Sequence, residues 1–386
     1  RSDSTRTDEI RPSDTEYSST PIGLPIAITG SPAATRSLSP SAIVGTGFGG
    51  PPRTVVLLGS QRFDPSLGAS VTKLRVEGRI ALITAGWQER ESEDEELSAH
   101  IGGNTINLRL HSRAEAVFRA DPTFHAAHRE RQELLRHKQD FYRIRLEHAL
   151  EAARVIRQRA APETIHEEEA ASSIAALREL DARHLADCAR LHREFEANWD
   201  VANRSAIAEQ REEITEIMKD CDAVAIAGGH VATLVNRLSL FGIAPLMGGR
   251  IVFAWTAGAM AISDRVVLFH DDPPQGQGAS EILDAGLGLV PGIVVLPQQE
   301  ERIHLDRTDR IRIMARRFAP ARCLALPARS RITWAPKRGT LRPPSVGTEG
   351  EVLPRASSGT LSSPDGVLEL LEDGGHGLVG TSKEEL

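Results

Sequence analysis

The sequence is poor in aromatic residues, which make up 4% of its 386 positions, and it holds only three cysteines. Cys188, Cys221 and Cys323 are odd in number and far apart, which argues against a disulfide framework and fits a reducing, cytoplasmic setting. No apolar run approaches the ~20 residues needed to cross a bilayer, and the N-terminal residues lack the hydrophobic core of a secretory leader. No membrane association is expected. The net charge is −7 and no basic stripe with interleaved aromatics is present, so no nucleic-acid partner is expected either. Glycine is absent from residues 113–220, which excludes the tight turns of a β-rich segment there.

Hydrophobic residues make up 40% of the chain, ample for a buried core. They are unevenly placed. Residues 1–50 and 336–386 are rich in Ser, Thr, Pro and Gly, and segments of that composition bury too little surface to offset their ordering entropy. Both are expected to be mostly disordered tails. From residue 54 the pattern changes to short apolar runs that stop at small residues: 55–58 before Gly59-Ser60, 80–84 before Ala85-Gly86, 223–227 before Gly228-Gly229, and 251–254. Such runs fit buried parallel strands whose C-terminal ends carry site loops. Residues 293–296 and 323–326 are read as later strands.

Within residues 113–220, charged residues and Ala dominate. Tyr142, Leu146, Ala149, Ala153 and Ile156 follow steps of three and four, Pro162 interrupts, and a second pattern runs through Ile174, Leu177, Leu191 and Phe195. This is the signature of an antiparallel, coiled-coil-like helical insertion. Apolar stripes of this kind are core or oligomerisation surfaces more often than lids. The division expected is therefore a tail (1–50), a first α/β part (54–112), the helical insertion (113–220), a second α/β part (221–335) and a tail (336–386).

Chemistry concentrates at Ala254-Trp255-Thr256-Ala257-Gly258-Ala259. A strand running into a nucleophile, a small residue and Gly makes a strained turn that projects one side chain above the sheet and frees the next backbone N–H for an oxyanion. Thr256 sits at the nucleophile position, with a hydroxyl competent once a base takes its proton and a methyl that crowds χ1. Gly228-Gly229-His230, ending the preceding strand, is expected beside it as a second source of oxyanion donors together with the Ala257 N–H.

These residues resemble the cyanophycinase and dipeptidase E family of the class I glutamine amidotransferase-like fold. That family pairs a strand ending in Gly-Gly with a Trp-Ser-Ala-Gly-Ala type elbow and a later Gly-Leu-Gly-Leu-x-Pro-Gly. The chain has the last as Gly286-Leu287-Gly288-Leu289-Val290-Pro291-Gly292. The resemblance covers residues 222–334 and, more loosely, 54–86. It implies a doubly wound, mostly parallel sheet, a serine-peptidase-like hydrolase site and no cofactor. It also exposes departures: Thr256 replaces the family Ser, Ala254 the elbow Gly, and Gln298, in Leu296-Pro297-Gln298-Gln299, stands at the family His position and cannot act as a general base. His270, Asp272 and His304, or His230, are the residues that could restore a base and an acid, although His270-Asp271-Asp272-Pro273 also reads as a polar turn.

The leading expectation is a pseudoenzyme that binds a peptide-like or amide ligand and assembles, as a homo-oligomer or with a partner protein, through the helical insertion. The rivals are an active amide or peptide hydrolase with Thr256 as nucleophile, and a purely structural subunit. His184, Cys188 and His192 share a helix face and include metal-ligand types, but i to i+8 spans ~12 Å at 1.5 Å per residue, so no metal is expected and a helix seam is the plainer reading. The acidic run at residues 91–96 reads as a solvated loop or helix start.

Overall fold

The main sheet is built from apolar runs that suit burial on both faces. β1 (Thr54–Leu58), β2 (Arg79–Ile83), β4 (Cys221–Ile226) and β5 (Ile251–Trp255) are almost wholly buried, as parallel strands covered by helices must be. The computed structural model describes residues 50–62, 65–269, 280–297, 303–336, 359–380 and 384–385, all within the unit Thr46–Leu386. With β3 (Thr105–Asn107), β10 (Arg331–Pro336), β11 (Gly359–Asp365) and β14 (Glu384–Glu385), the sheet has the order β14-β11-β10-β1-β5-β4-β2-β3. Its five strands from β1 to β3 are parallel, and β10 and β11 are antiparallel. Register brings Leu58 opposite Trp255, Ile226 opposite Ala254 and Ile83 opposite Ile226. The C-terminal ends of β1, β2, β4 and β5 therefore lie level, at one edge of the sheet.

Alternation along the strands supplies two cores. On one face Val56, Leu58, Leu82, Ala225 and Phe253 meet Leu67 and Val71 of α1 (Leu67–Lys73). On the other, Leu57, Ile83, Val224 and Val252 meet α3 (Leu110–Ala120), α6 (Ser205–Lys219), α7 (Val231–Leu240) and α8 (Ala257–Ile262). The molecule is thus a mixed α/β fold with a mostly parallel central sheet and a long helical region.

That helical region divides differently from the expectation of one insertion over residues 113–220. α3 and α6 bury Leu110, Ala114, Ile207 and Ile214 against the sheet and belong to the α/β layers. Only α4 (Pro122–Gln158) and α5 (Glu163–Trp199), each of 37 residues, form the long pair. Periodicity alone registered the apolar stripes and not what they pack on. Among the described residues no helix is long and apolar enough to cross a membrane.

The strands after the elbow also differ from the expectation of one continuous sheet. β6 (Arg265–Leu268) pairs with β7 (Glu281–Ala285), and β8 (Ile293–Pro297) pairs with β9 (Arg322–Leu326) in a separate sheet ordered β13-β12-β9-β8. The cause is local. The backbone of residues 287–290 bonds back to Ala261, Ile262 and Ser263 at the end of α8, which holds the chain away from the main sheet before β8 begins. β12 (Leu368–Leu370) and β13 (His376–Leu378) come from the stretch expected to be a tail. There Leu361, Val367 and Leu370 are buried and edge pairing to β10 and β9 satisfies the backbone, so few apolar residues suffice. The rest of that expected tail, residues 337–358, 381–383 and 386, and all but the last of the expected N-terminal one lie outside the described residues.

A third core joins the helical pair to the second sheet. Tyr142 and Leu146 of α4 and Leu177 of α5 pack with Ile282, Val294 and α9 (Thr308–Phe318). At its centre Arg317 of α9 is 1% exposed. Its guanidinium donates to both carboxylate oxygens of Asp181, at 2.6 and 2.7 Å, to the Tyr142 hydroxyl at 2.7 Å and to the Ser280 carbonyl at 2.8 Å. Tyr142 in turn donates to Asp181 at 2.8 Å. A buried charge is tolerable only when paired and hydrogen-bonded, and here both conditions are met.

Candidate active site

The turn after β5 is strained. Thr256 has φ 48° and ψ −120°, a conformation rare for any side chain and a clear outlier for a β-branched one, costing on the order of 1–3 kcal/mol. α8 starts at the next residue. Gly258 permits this: a Cβ there would lie 2.3 Å from the Ile226 carbonyl oxygen, so only glycine lets α8 sit against the end of β4. Gly228 is adjacent to the elbow in space, since a Cβ on it would fall 1.8 Å from Thr256 Oγ1. The structure therefore brings Thr256, Ala257, Gly228 and Gly229 together, as their motifs imply.

Among the described residues nothing hydrogen-bonds the Thr256 hydroxyl, and the side chain does not cap its own helix. The backbone N–H groups of Gly228, Gly229 and Ala257 likewise have no partner among the described residues. A half-exposed hydroxyl beside uncommitted N–H donors is the arrangement that receives a carbonyl oxygen.

The ends of β2 and β4 are tied together here. His230 N donates to the Gly86 carbonyl at 2.7 Å. The His230 ring is committed elsewhere: Nδ1 accepts from Thr233 N at 3.2 Å and lies 2.9 Å from Thr233 Oγ1, capping α7. With Nδ1 as acceptor, the proton of a neutral ring sits on Nε2, so the lone pair a general base needs is already in use. Gln88, in the turn after β2, completes this corner. It has φ 58° and ψ −123°, nearly the conformation of Thr256, and its Nε2 donates to Thr233 Oγ1 at 3.1 Å. Two strained non-glycine residues, after β2 and after β5 on either side of β4, thus lie at this edge, the kind of backbone strain that collects at ligand sites. Its only sequence signal is Gly86, where the chain turns after β2.

The remaining candidates fall elsewhere. His304 lies in a turn before α9 with φ 57°, and no hydrogen bond joins it to Thr256. His270, Asp272 and Gln298 lie outside the described residues. His184, Cys188 and His192 do share a face of α5, and that face lies against β7. His184 stacks on Tyr142 with ring centroids 4.1 Å apart, and His192 Nε2 is 2.7 Å from Asp284 Oδ2. Burial pushes the Cys188 thiol up to about 12 and draws His184 down, so the thiolate a metal prefers is disfavoured. Among the described residues no group of three or more His, Cys, Asp or Glu is placed to hold a metal ion.

Glu91 corrects the reading of its acidic run as solvated. It is 1% exposed, and its carboxylate accepts from His111 N and Ser112 N, both at 2.9 Å, and from Ser112 Oγ at 3.0 Å, capping α3.

No family model matches the chain, and no curated protein matches it. Eleven chains of solved structures do. One is the crystal structure of a peptidase from an acI-B1 Actinobacterium, 12% identical, with a TM-score of 0.39 and coverage of 88% of this chain and 95% of that one.

Proposed function

We propose that this chain is a cyanophycinase- and peptidase E-like member of the class I glutamine amidotransferase-like fold that binds a peptide-like or amide ligand at the Thr256 elbow and hydrolyses it slowly or not at all. The observation that carries the reading is the backbone of Thr256. A β-branched residue held at φ 48° and ψ −120° between a buried strand and a helix is retained strain, and the strain serves to present the hydroxyl and the next N–H to a ligand. A ligand carbonyl seated over Oγ1 would take its oxygen's hydrogen bonds from Ala257 N–H and the Gly228-Gly229 backbone.

Turnover needs more than these donors. An acyl transfer needs a base in contact with the nucleophile. His230 has its lone pair committed to α7, and the family resemblance gives the His position to Gln298. Donors and binding alone leave a residual ~10³–10⁴-fold over water, well below a working enzyme. The methyl of Thr256 restricts the attack trajectory further.

The test is direct. The intact protein and Thr256→Ala are incubated with aspartyl dipeptides and a fluorophosphonate acyl-transfer probe, and turnover and labelling are read by mass spectrometry. The expected result is no turnover by either protein, with turnover appearing in Thr256→Ser/Gln298→His. Turnover by the native chain that Thr256→Ala abolishes would overturn the impairment and make Thr256 the nucleophile of an active hydrolase.

A further inference from the structure

The outer side of α4 carries a pattern its own fold does not use. Leu134, Phe141, His148 and Val155 are spaced by sevens along the helix, which at 1.5 Å per residue makes a stripe ~31 Å long. Ile144 lies one helical turn beyond Phe141. The inward side of the same helix carries Tyr142, Leu146 and Ala153, all buried, so this stripe is turned away from the third core, with Leu134 and Phe141 bordering the open groove between α4 and α5. Leu134, Phe141, Ile144 and Val155 are 46%, 60%, 53% and 46% exposed. Scattered single apolar residues on a surface are ordinary, whereas four on one helical stripe are not.

The charges beside the stripe specify what would cover it. Glu133 and Asp140 run along one flank, each one residue before a stripe position. Lys138 and Arg145 run along the other, each four residues after one. In heptad terms Glu133, Asp140 and Glu147 occupy g and Lys138 and Arg145 occupy e, while Arg154, before Val155, is a base at g that is already tied to Glu151. When two such helices pair in parallel, g of one meets the following e of the other, so Glu133 meets Lys138 and Asp140 meets Arg145, twice over by symmetry. In an antiparallel pair like flanks meet, acid against acid and base against base. The existing ties of these groups, Glu133 to Arg136, Asp140 to Arg143 and Lys138 to Asp187, are at least partly exposed ion pairs that cost little to exchange. Arg145 has no ion pair among the described residues.

We propose that α4 pairs in parallel with α4 of a second copy of this chain through Leu134, Phe141, Ile144 and Val155, with the two α/β bodies on opposite sides. A face one helix wide is small against the ~800 Å² per partner of a standard interface, so the dimer is reversible and concentration-dependent. The inference stands apart from the reading of the elbow, since α4 contributes no residue to that site.

Sedimentation equilibrium on the intact chain, at concentrations up to about 100 µM where a micromolar interface saturates, tests it. The expected result is a monomer–dimer equilibrium that Phe141→Glu, and independently Ile144→Glu, weakens at least tenfold with an unchanged melting curve. Leu378→Glu, at an exposed apolar residue of β13, should leave it unchanged. His148→Cys should form a disulfide between copies under mild oxidation, because parallel pairing sets each stripe residue against itself; the three native cysteines are buried and do not compete. A native chain that stays monomeric, a dimer insensitive to both Glu variants, or a His148→Cys protein that does not cross-link would each overturn the proposal.

Discussion

His128 sets a measurable acid sensitivity. It lies on α4, 5% exposed, against the rings of Phe118 and Phe195, with Asn236 Nδ2 donating to its Nε2 at 3.1 Å. Burial, helped by the nearby Arg131 and Arg237 cations, pulls its pKa from an ordinary 6.5 down to about 3. The folded state therefore binds fewer protons here than the unfolded chain between those two values, and the stability contribution is intact above pH 6.5 and lost progressively as pH falls toward 3. With those two pKa values, linkage gives a loss of about 2 kcal/mol at pH 5 relative to pH 7.5 from this residue alone. The control is His128→Gln, whose amide oxygen can still accept from Asn236 and which does not titrate. Urea unfolding of both proteins at the two pH values isolates the effect, because other titrating groups are common to both. The native protein should lose about 2 kcal/mol more than the variant between the two pH values. Equal losses would refute the assignment of a neutral, buried His128.

Two further outcomes follow from the geometry. Asp181→Asn leaves the Arg317 cation buried without its counter-charge and should cost about 3–5 kcal/mol in denaturant unfolding, while Asp181→Leu/Arg317→Met should recover most of it; a cost below about 1 kcal/mol for the single variant, the scale of an exposed ion pair, would show that the pair is not buried in solution. Gly228→Ala should destabilise by about 1–3 kcal/mol through overpacking, and less in a Thr256→Ala background that removes the oxygen lying 1.8 Å from the new Cβ; additive costs in that double-mutant cycle would mean that the two residues do not touch.

What could be read from sequence was what is encoded locally. The strands before Gly86, Gly228 and Thr256 are short apolar runs that end in small residues, and both the elbow pattern and its Gly-Gly neighbour rest on spacing within a few residues. The helical pair was legible for the same reason, since apolar steps of three and four need no knowledge of a partner. What stayed hidden depends on long-range placement. Leu110 and Ile207 look no different in sequence from Leu146 and Leu177, yet the first two face the sheet and the last two meet the third core. The separation of β8 from the main sheet rests on backbone bonds from residues 287–290 to α8, which no side-chain pattern records. Glu91 looked solvated among its acidic neighbours because the α3 backbone it caps begins 19 residues later, at Leu110. Gln88 gave no signal because its strain resides in φ and ψ.

The Arg317 cluster has a consequence for the order in which the molecule comes together. α4 and α5 are consecutive helices joined by a short connection, and both precede α9 in the chain. Asp181 and Arg317 are 136 residues apart, and Arg317 also needs Ser280 in position. During synthesis, which proceeds from the N-terminus, the helical pair thus emerges well before the cation that its central carboxylate must meet, and Asp181 has to remain hydrated until the last third of the fold arrives. The pair is for the same reason not a removable cassette. Cutting it away would remove both side chains that Arg317 bonds, Tyr142 and Asp181, and open the third core to water, so any shortening of this region has to change Arg317 and its apolar neighbours with it.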